Sequence, residues 1–162
     1  MPEAELNNLA RIGQLDKVPF SADLLRKMLA TARTRLQDAQ RTDNSTETRF
    51  DCAYTAIRAV ADAALLAQGW RTATSKPGHH QTTLQCLVHT LGVSPATVRV
   101  LDALRKQRNL SDYDGELVTD QALHECLQQA AALIRLADQQ LQALTKKTPP
   151  SPRRMCACCY QI

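Results

Sequence analysis

From Thr119 onward, Leu123, Leu127, Ala130, Ile134, Ala137, Leu141 and Leu144 recur at intervals of three and four. That spacing keeps all seven on one face of a helix about six turns long, whereas a strand would scatter them over both faces. A helix with one apolar stripe has to bury it against other helices. The same period returns upstream. Leu24, Leu25, Met28, Leu29, Ala32, Leu36 and Ala39 form one stripe, and Phe50, Ala53, Tyr54, Ile57, Val60, Ala61, Ala64 and Leu65 form a second. Leu84, Leu87, Val88 and Leu91 make a third, and Val98, Leu101 and Leu104 a fourth. Start and stop signals separate these runs. Ser21 and Thr119 suit N-caps, Asn44 with Glu47 has the form of a capping box, and Ser94-Pro95 joins a cap to a proline at the first helical position. Gly69 and Gly92 stand where helices end. The pattern predicts an all-α chain, an antiparallel up-and-down bundle of four to five major helices with no sheet. Residues 3–15 add a short amphipathic helix carrying Leu6, Leu9, Ile12 and Leu15.

At 162 residues the chain is long enough for one domain with its own core and too short for two ordinary ones. We place a single helical domain at 1–145, with its core over 21–144. Beyond it, 146–162 (Lys-Lys-Thr-Pro-Pro-Ser-Pro-Arg-Arg and then Cys156, Cys158 and Cys159) is expected to be a disordered tail. The Cys-x-Cys-Cys spacing matches no familiar zinc site, so no metal and no cofactor is expected. Cys52, Cys86 and Cys126 fall inside helical patterns, where a reduced thiol acts as a small apolar group. The start of the chain lacks the charged and apolar segments of a secretory signal. The most apolar run, Ala59 to Ala67, is interrupted by Asp62 and too short to span a bilayer. These features point to a soluble, cytoplasmic protein with no membrane partner. A net charge of +4, with the basic residues spread along helices, permits nucleic-acid binding without demanding it.

Most of the chemistry lies between Leu104 and Gly115. Arg108 and Asn109 close the stripe of the fourth long helix. Asp112, four residues on, can pair with Arg108, and Tyr113 reaches the same space if the helix ends near Leu110. If the long helices alternate in direction, the end of the second, the start of the third and the end of the fourth share one end of the bundle. Trp70, Arg71, Lys76, His79 and His80 would then meet Lys106, Arg108, Asn109 and Tyr113. Such a cluster suits phosphate or nucleic acid, with arginine as bidentate donor and aromatics for stacking. His89 and His124 lie in mid-helix and receive no role.

An Arg-Asn pair ending a helix of a small α-bundle, with a polar residue five positions after the arginine, resembles the HEPN superfamily (higher eukaryotes and prokaryotes nucleotide-binding domains). Its ribonuclease members carry Arg, four variable residues, then His. The resemblance spans most of 21–144, through the Ala-rich Phe50–Gly69 helix, the Gly78-His79-His80 helix start and the stretch from Arg105 to Asp114. It sets the family's arginine at Arg108, the following polar residue at Asn109 and the histidine position at Tyr113. The resemblance implies RNA or nucleotide binding by a homodimer whose two motifs share a cleft. It further implies a metal-independent endoribonuclease of toxin–antitoxin or defence type, with a nucleotidyltransferase-type antitoxin as partner. Tyr113 departs from the nuclease pattern, because a phenol with an ordinary pKa near ~10 is a poor base at neutral pH. His80 is the candidate to supply the missing imidazole. The expected site is therefore Arg108, Tyr113 and His80 for chemistry, with Asn109, Asp112, Lys106, His79 and Arg71 for binding. Whether the chain cuts RNA stays open, and the competing reading is a non-catalytic, dimerising helical adaptor.

Overall fold

The computed structural model describes residues 2–146; the tail at 147–162, with Cys156, Cys158 and Cys159, lies outside the described residues. Among the described residues, seven helices and two three-residue strands follow one another as α1 (Pro2–Arg11), β1 (Leu15–Lys17), α2 (Ala22–Gln40), α3 (Thr46–Ala67), β2 (Trp70–Thr72), α4 (His79–Gln85), α5 (Leu87–Thr90), α6 (Pro95–Asp114) and α7 (Asp120–Thr145). The fold is an all-α bundle of the long helices α2, α3, α6 and α7.

Cap chemistry sets where these helices begin. Ser21 accepts from the Leu24 amide, Ser94 from Thr97 and Thr119 from Ala122, each satisfying one of the otherwise orphaned first-turn donors. The α3 cap is Ser45 and not Asn44. Ser45 Oγ accepts from Thr48 N at 3.2 Å, while Asn44 turns back to donate from Nδ2 to the Asp38 carbonyl at 3.1 Å. An Asn and a Ser side by side can each cap, and the turn geometry chooses between them.

Side-chain ties record the helix directions. Arg49 Nε donates to the Ala39 carbonyl at 2.8 Å across the α2–α3 turn, so these two run antiparallel. Cys126 lies beside the Phe50 carbonyl and Arg108 beside Asp51, which sets the start of α7 and the end of α6 next to the start of α3. Late in α7, Gln140 Nε2 reaches the Leu91 carbonyl at 2.9 Å. The long helices thus alternate up and down. Between them Ala53, Ala56, Ala61 and Ala64 of α3 are at most 1% exposed, and these short side chains let α2 and α7 approach α3 closely.

Three segments depart from the sequence-based reading. Leu15, expected to end the first helix, instead lies past Gly13 (φ +76°) in the strand Leu15–Lys17, which pairs antiparallel with Trp70–Thr72 where no sheet was expected. Val18 N to Gly69 O (2.9 Å) and Ala73 N to Gln14 O (3.0 Å) extend the pairing on both sides. Gly69 makes the reversal possible, since at φ +81° a residue with a side chain would be strained. The third expected helix is broken at Cys86 into α4 and α5. A second small apolar cluster of Leu6, Leu15, Leu65 and Cys86, flanked by Trp70, holds α1 and the ribbon to the bundle. Among the described residues no helix is long and apolar enough to cross a membrane.

Candidate functional site

Helix α3 carries a polar ladder within its Ala-rich stretch from Cys52 to Ala67. Tyr54, Arg58 and Asp62 are spaced by four and so lie above one another on one face. α4 faces this ladder with its first two residues, His79 and His80, whose ring centroids are 4.1 Å apart. Thr72 and Thr83, both buried, share a hydrogen bond of 2.9 Å that fixes α4 against β2. The C-terminal half of α6 closes the third side.

Tyr54, His80, Arg105, Arg108, Asn109 and Asp112 converge on a pocket of about 300 Å³, with Tyr113 on its rim. Arg108, 28% exposed, donates from Nε to Asp51 Oδ1 at 2.7 Å, and the Asp112 carboxylate lies 3.8 Å from the same nitrogen. Asp51 is the nearer partner, which sequence spacing within α6 could not reveal. The Arg108 guanidinium also sits 5.3 Å from the centre of the Tyr54 ring. A half-exposed ion pair contributes about 0–1 kcal/mol and a cation–π contact of this kind about 0.5–1 kcal/mol. Stability alone is a small return for seating a second arginine so close to Arg105. That residue donates to Asp102 Oδ1 at 2.8 Å, both side chains being 19% exposed.

Electrostatics sharpen the picture. The Tyr54 hydroxyl is buried with no hydrogen-bond partner among the described residues. Burial pushes its pKa up to about 12 despite the opposing pull of Arg58, Arg105 and Arg108, so it stays protonated and able to donate. The His80 imidazole moves the other way, down to about 4, first through burial and then through Arg58, His79, Arg108 and Arg105. It is neutral at neutral pH. Two arginines, a neutral imidazole and a buried hydroxyl without an acceptor give the pocket a set of donors that an anion could accept from.

The expected site residues divide. Arg108, Asn109, Asp112, Tyr113 and His80 share this pocket, although α6 continues to Asp114 before Gly115 (φ +68°) ends it, and Tyr113 is 86% exposed. Lys106 instead turns to Asp102, 3.4 Å from Oδ2. The Asp102 carboxyl, which burial alone would raise, is held below its usual range by Arg105 and Lys106. Arg71 pairs with Asp16 at 3.7 Å in the ribbon, and His79 borders a separate cavity next to Trp70. Trp70 and Arg71 belong to the far end of α3, roughly 24 Å from Asp51 at 1.5 Å per residue. His80 meets Arg108 because α4 lies over the middle of α3, and not because those loops share one end of the bundle. The sequence reading missed Tyr54, Arg58, Asp62 and Arg105; polar residues recurring every four positions within an Ala-rich helix were the available signal.

Among the described residues no three His, Cys, Asp or Glu side chains gather as metal ligands would. Cys52, Cys86 and Cys126 are buried free thiols, and burial raises Cys86 to about 11 and Cys126 to about 12, well away from nucleophilic chemistry. Comparison with known proteins finds no family model and no curated sequence that matches the chain.

Proposed function

We propose that the chain is a HEPN-like RNA- or nucleotide-binding protein that holds a phosphate between Arg105, Arg108 and the Tyr54 hydroxyl. The observation that carries this reading is the convergence of two arginines, a neutral His80 and a buried, unpartnered hydroxyl on one small pocket. Asp51 takes one of the five donors on the Arg108 guanidinium, which leaves a fork able to grip phosphate oxygens. Asn109 supplies a neutral amide beside it, and Asp112 limits where the guanidinium can swing.

Recognition is favoured over cleavage. The proton-transfer role that the resemblance gives to a histidine falls here to Tyr113, out on the rim, or to His80, whose low basicity makes it a weak base. A bound phosphate would reverse part of that by offsetting the surrounding positive charge, so any cleavage would depend on substrate raising the His80 pKa. In this reading two copies pair across the α6 ends. Leu110, Tyr113 and Leu117 are exposed there, and they offer apolar area at the rim of the pocket. A toxin–antitoxin or defence role, with a nucleotidyltransferase-type partner, extends the same proposal. The adaptor reading would keep this exposed apolar rim and assign the arginines to structure alone. Binding of a short RNA, measured beside His80→Ala and Tyr113→Phe, tests the proposal. His80→Ala lowering cleavage far more than binding would identify a nuclease, and binding without any cleavage identifies a recognition module.

A further inference from the structure

A second cavity of about 480 Å³ opens between α2, α3 and the β1–β2 ribbon. Val18, Leu24, Met28, Leu66 and Trp70 form its apolar walls, and its polar groups are Arg58, Asp62 and His79 together with Arg71, Thr72 and Thr74 from β2 and the residues after it. That is the build of a small-molecule site: mostly apolar, with a few convergent polar groups. It adjoins the phosphate pocket. His79 lines the one and His80 the other, their rings in contact, and Arg58 acts on Tyr54 and His80 from between them.

We propose that this cavity seats a guanine base whose phosphate occupies the Arg105–Arg108 pocket, making the protein selective for guanosine nucleotides or for RNA presenting an unstacked guanosine. The inference deepens the phosphate-binding reading and rests on it for the phosphate end. Hydrogen-bond complementarity chooses the base. Arg58 offers donors only, and its Nε is buried without a partner among the described residues. Asp62, one turn further along α3, offers acceptors only. A ligand matching both presents acceptors to the arginine and two adjacent donors to the carboxylate. Guanine does so, with O6 and N7 on one edge and N1–H beside the N2 amino group on the next. Adenine, cytosine and uracil place no two donor nitrogens side by side. Burial raises the Asp62 carboxyl above its ordinary range, against the pull of Arg58 and His79, and two facing donors would lower it again. Trp70 contributes an indole to the lining, and Lys17 Nζ lies 5.8 Å from its ring centre.

Trp70 is the chain's one tryptophan, so its fluorescence reports occupancy of this cavity directly. Guanosine 3′- and 5′-monophosphate, the matching adenosine monophosphates and ribose 5-phosphate are titrated into the full chain, with calorimetry as the second readout. The better guanosine nucleotide should quench Trp70 and bind at least ~10-fold more tightly than its adenosine counterpart, the discrimination expected of one well-made bidentate pair. Asp62→Asn is close to isosteric, and Arg58→Lys keeps the charge while losing the fork. Each should erase the guanosine preference, and Asp62→Asn should leave ribose 5-phosphate binding as it was. If ribose 5-phosphate binds as tightly as the nucleotides, the base cavity is overturned and the phosphate reading stands. Equal binding of guanosine and adenosine nucleotides overturns the choice of guanine. If no member of the series binds, ribose 5-phosphate included, the phosphate reading falls and this inference falls with it.

Discussion

Tyr54 and His80 hold the strongest single-residue evidence for a ligand, because each is poorly placed for stability. A buried hydroxyl with no partner costs about 1–3 kcal/mol. Tyr54→Phe should therefore leave the melting temperature unchanged or raise it, while weakening phosphate or nucleotide binding; a folded variant with a lowered melting temperature and unchanged binding would show that the hydroxyl is structural. For His80 the sign follows from its depressed pKa. The unfolded chain takes up this proton near pH 6.5 and the folded chain only near 4, so stability falls as pH drops through that window. Burial first, and then Arg58 from α3, His79 from α4 and Arg108 and Arg105 from α6, disfavour the imidazolium, while Asp51 and Asp112 neutralise part of Arg108. His80→Gln should flatten the acid limb of urea-derived stability between pH 6.5 and 4. Titration of the His80 ring by NMR should give a midpoint near 4 that moves upward when inorganic phosphate is added. A midpoint near 6.5, indifferent to phosphate, would remove the electropositive pocket from the account.

Helix α3 carries both the packing and the polar ladder. Its alanines set how near α2 and α7 can come, so Ala56→Leu should cost about 1–3 kcal/mol through overpacking, read from the urea midpoint. An unchanged midpoint would mean that the α2–α3–α7 contact is looser than its burial indicates. The same helix shows what the sequence carried and what it hid. Apolar period, the Ser21, Ser94 and Thr119 caps and the Gly69 stop were readable because each acts within a few residues. The ribbon was not, since three-residue strands such as Leu15–Lys17 are too short to display a period of two, and their pairing is decided by Gly69 and Leu65 elsewhere in the fold. The break at Cys86 has neither Gly nor Pro to announce it. In the site, Arg108, Asn109, Asp112 and Tyr113 were visible as one dense stretch, while the Asp51 partner and the Tyr54 wall required knowing that α6 ends beside the start of α3.

For the whole molecule, four long helices surround one apolar core and leave two adjoining pockets along one flank of α3, an arginine-rich one beside α6 and an apolar one beside Trp70. Pairing of two copies through Leu110, Tyr113 and Leu117 should appear as a dimer in light scattering at micromolar concentration, and Leu117→Asp should shift it toward monomer. A persistent monomer would detach the HEPN-like cleft from the phosphate-binding claim without touching the pocket itself. The pocket is tested most directly by fluorescence anisotropy of a short single-stranded RNA titrated with the unmutated chain and with Arg108→Ala at two matched salt concentrations, with the melting temperature of both proteins checked first. Loss of a charge-assisted hydrogen bond, about 1.5–3 kcal/mol, should weaken binding by roughly 10- to 150-fold, and raising the salt should weaken binding by the unmutated chain. Two folded proteins that bind the RNA equally, or that both ignore it, would contradict the account and return Arg108 to a structural ion pair with Asp51.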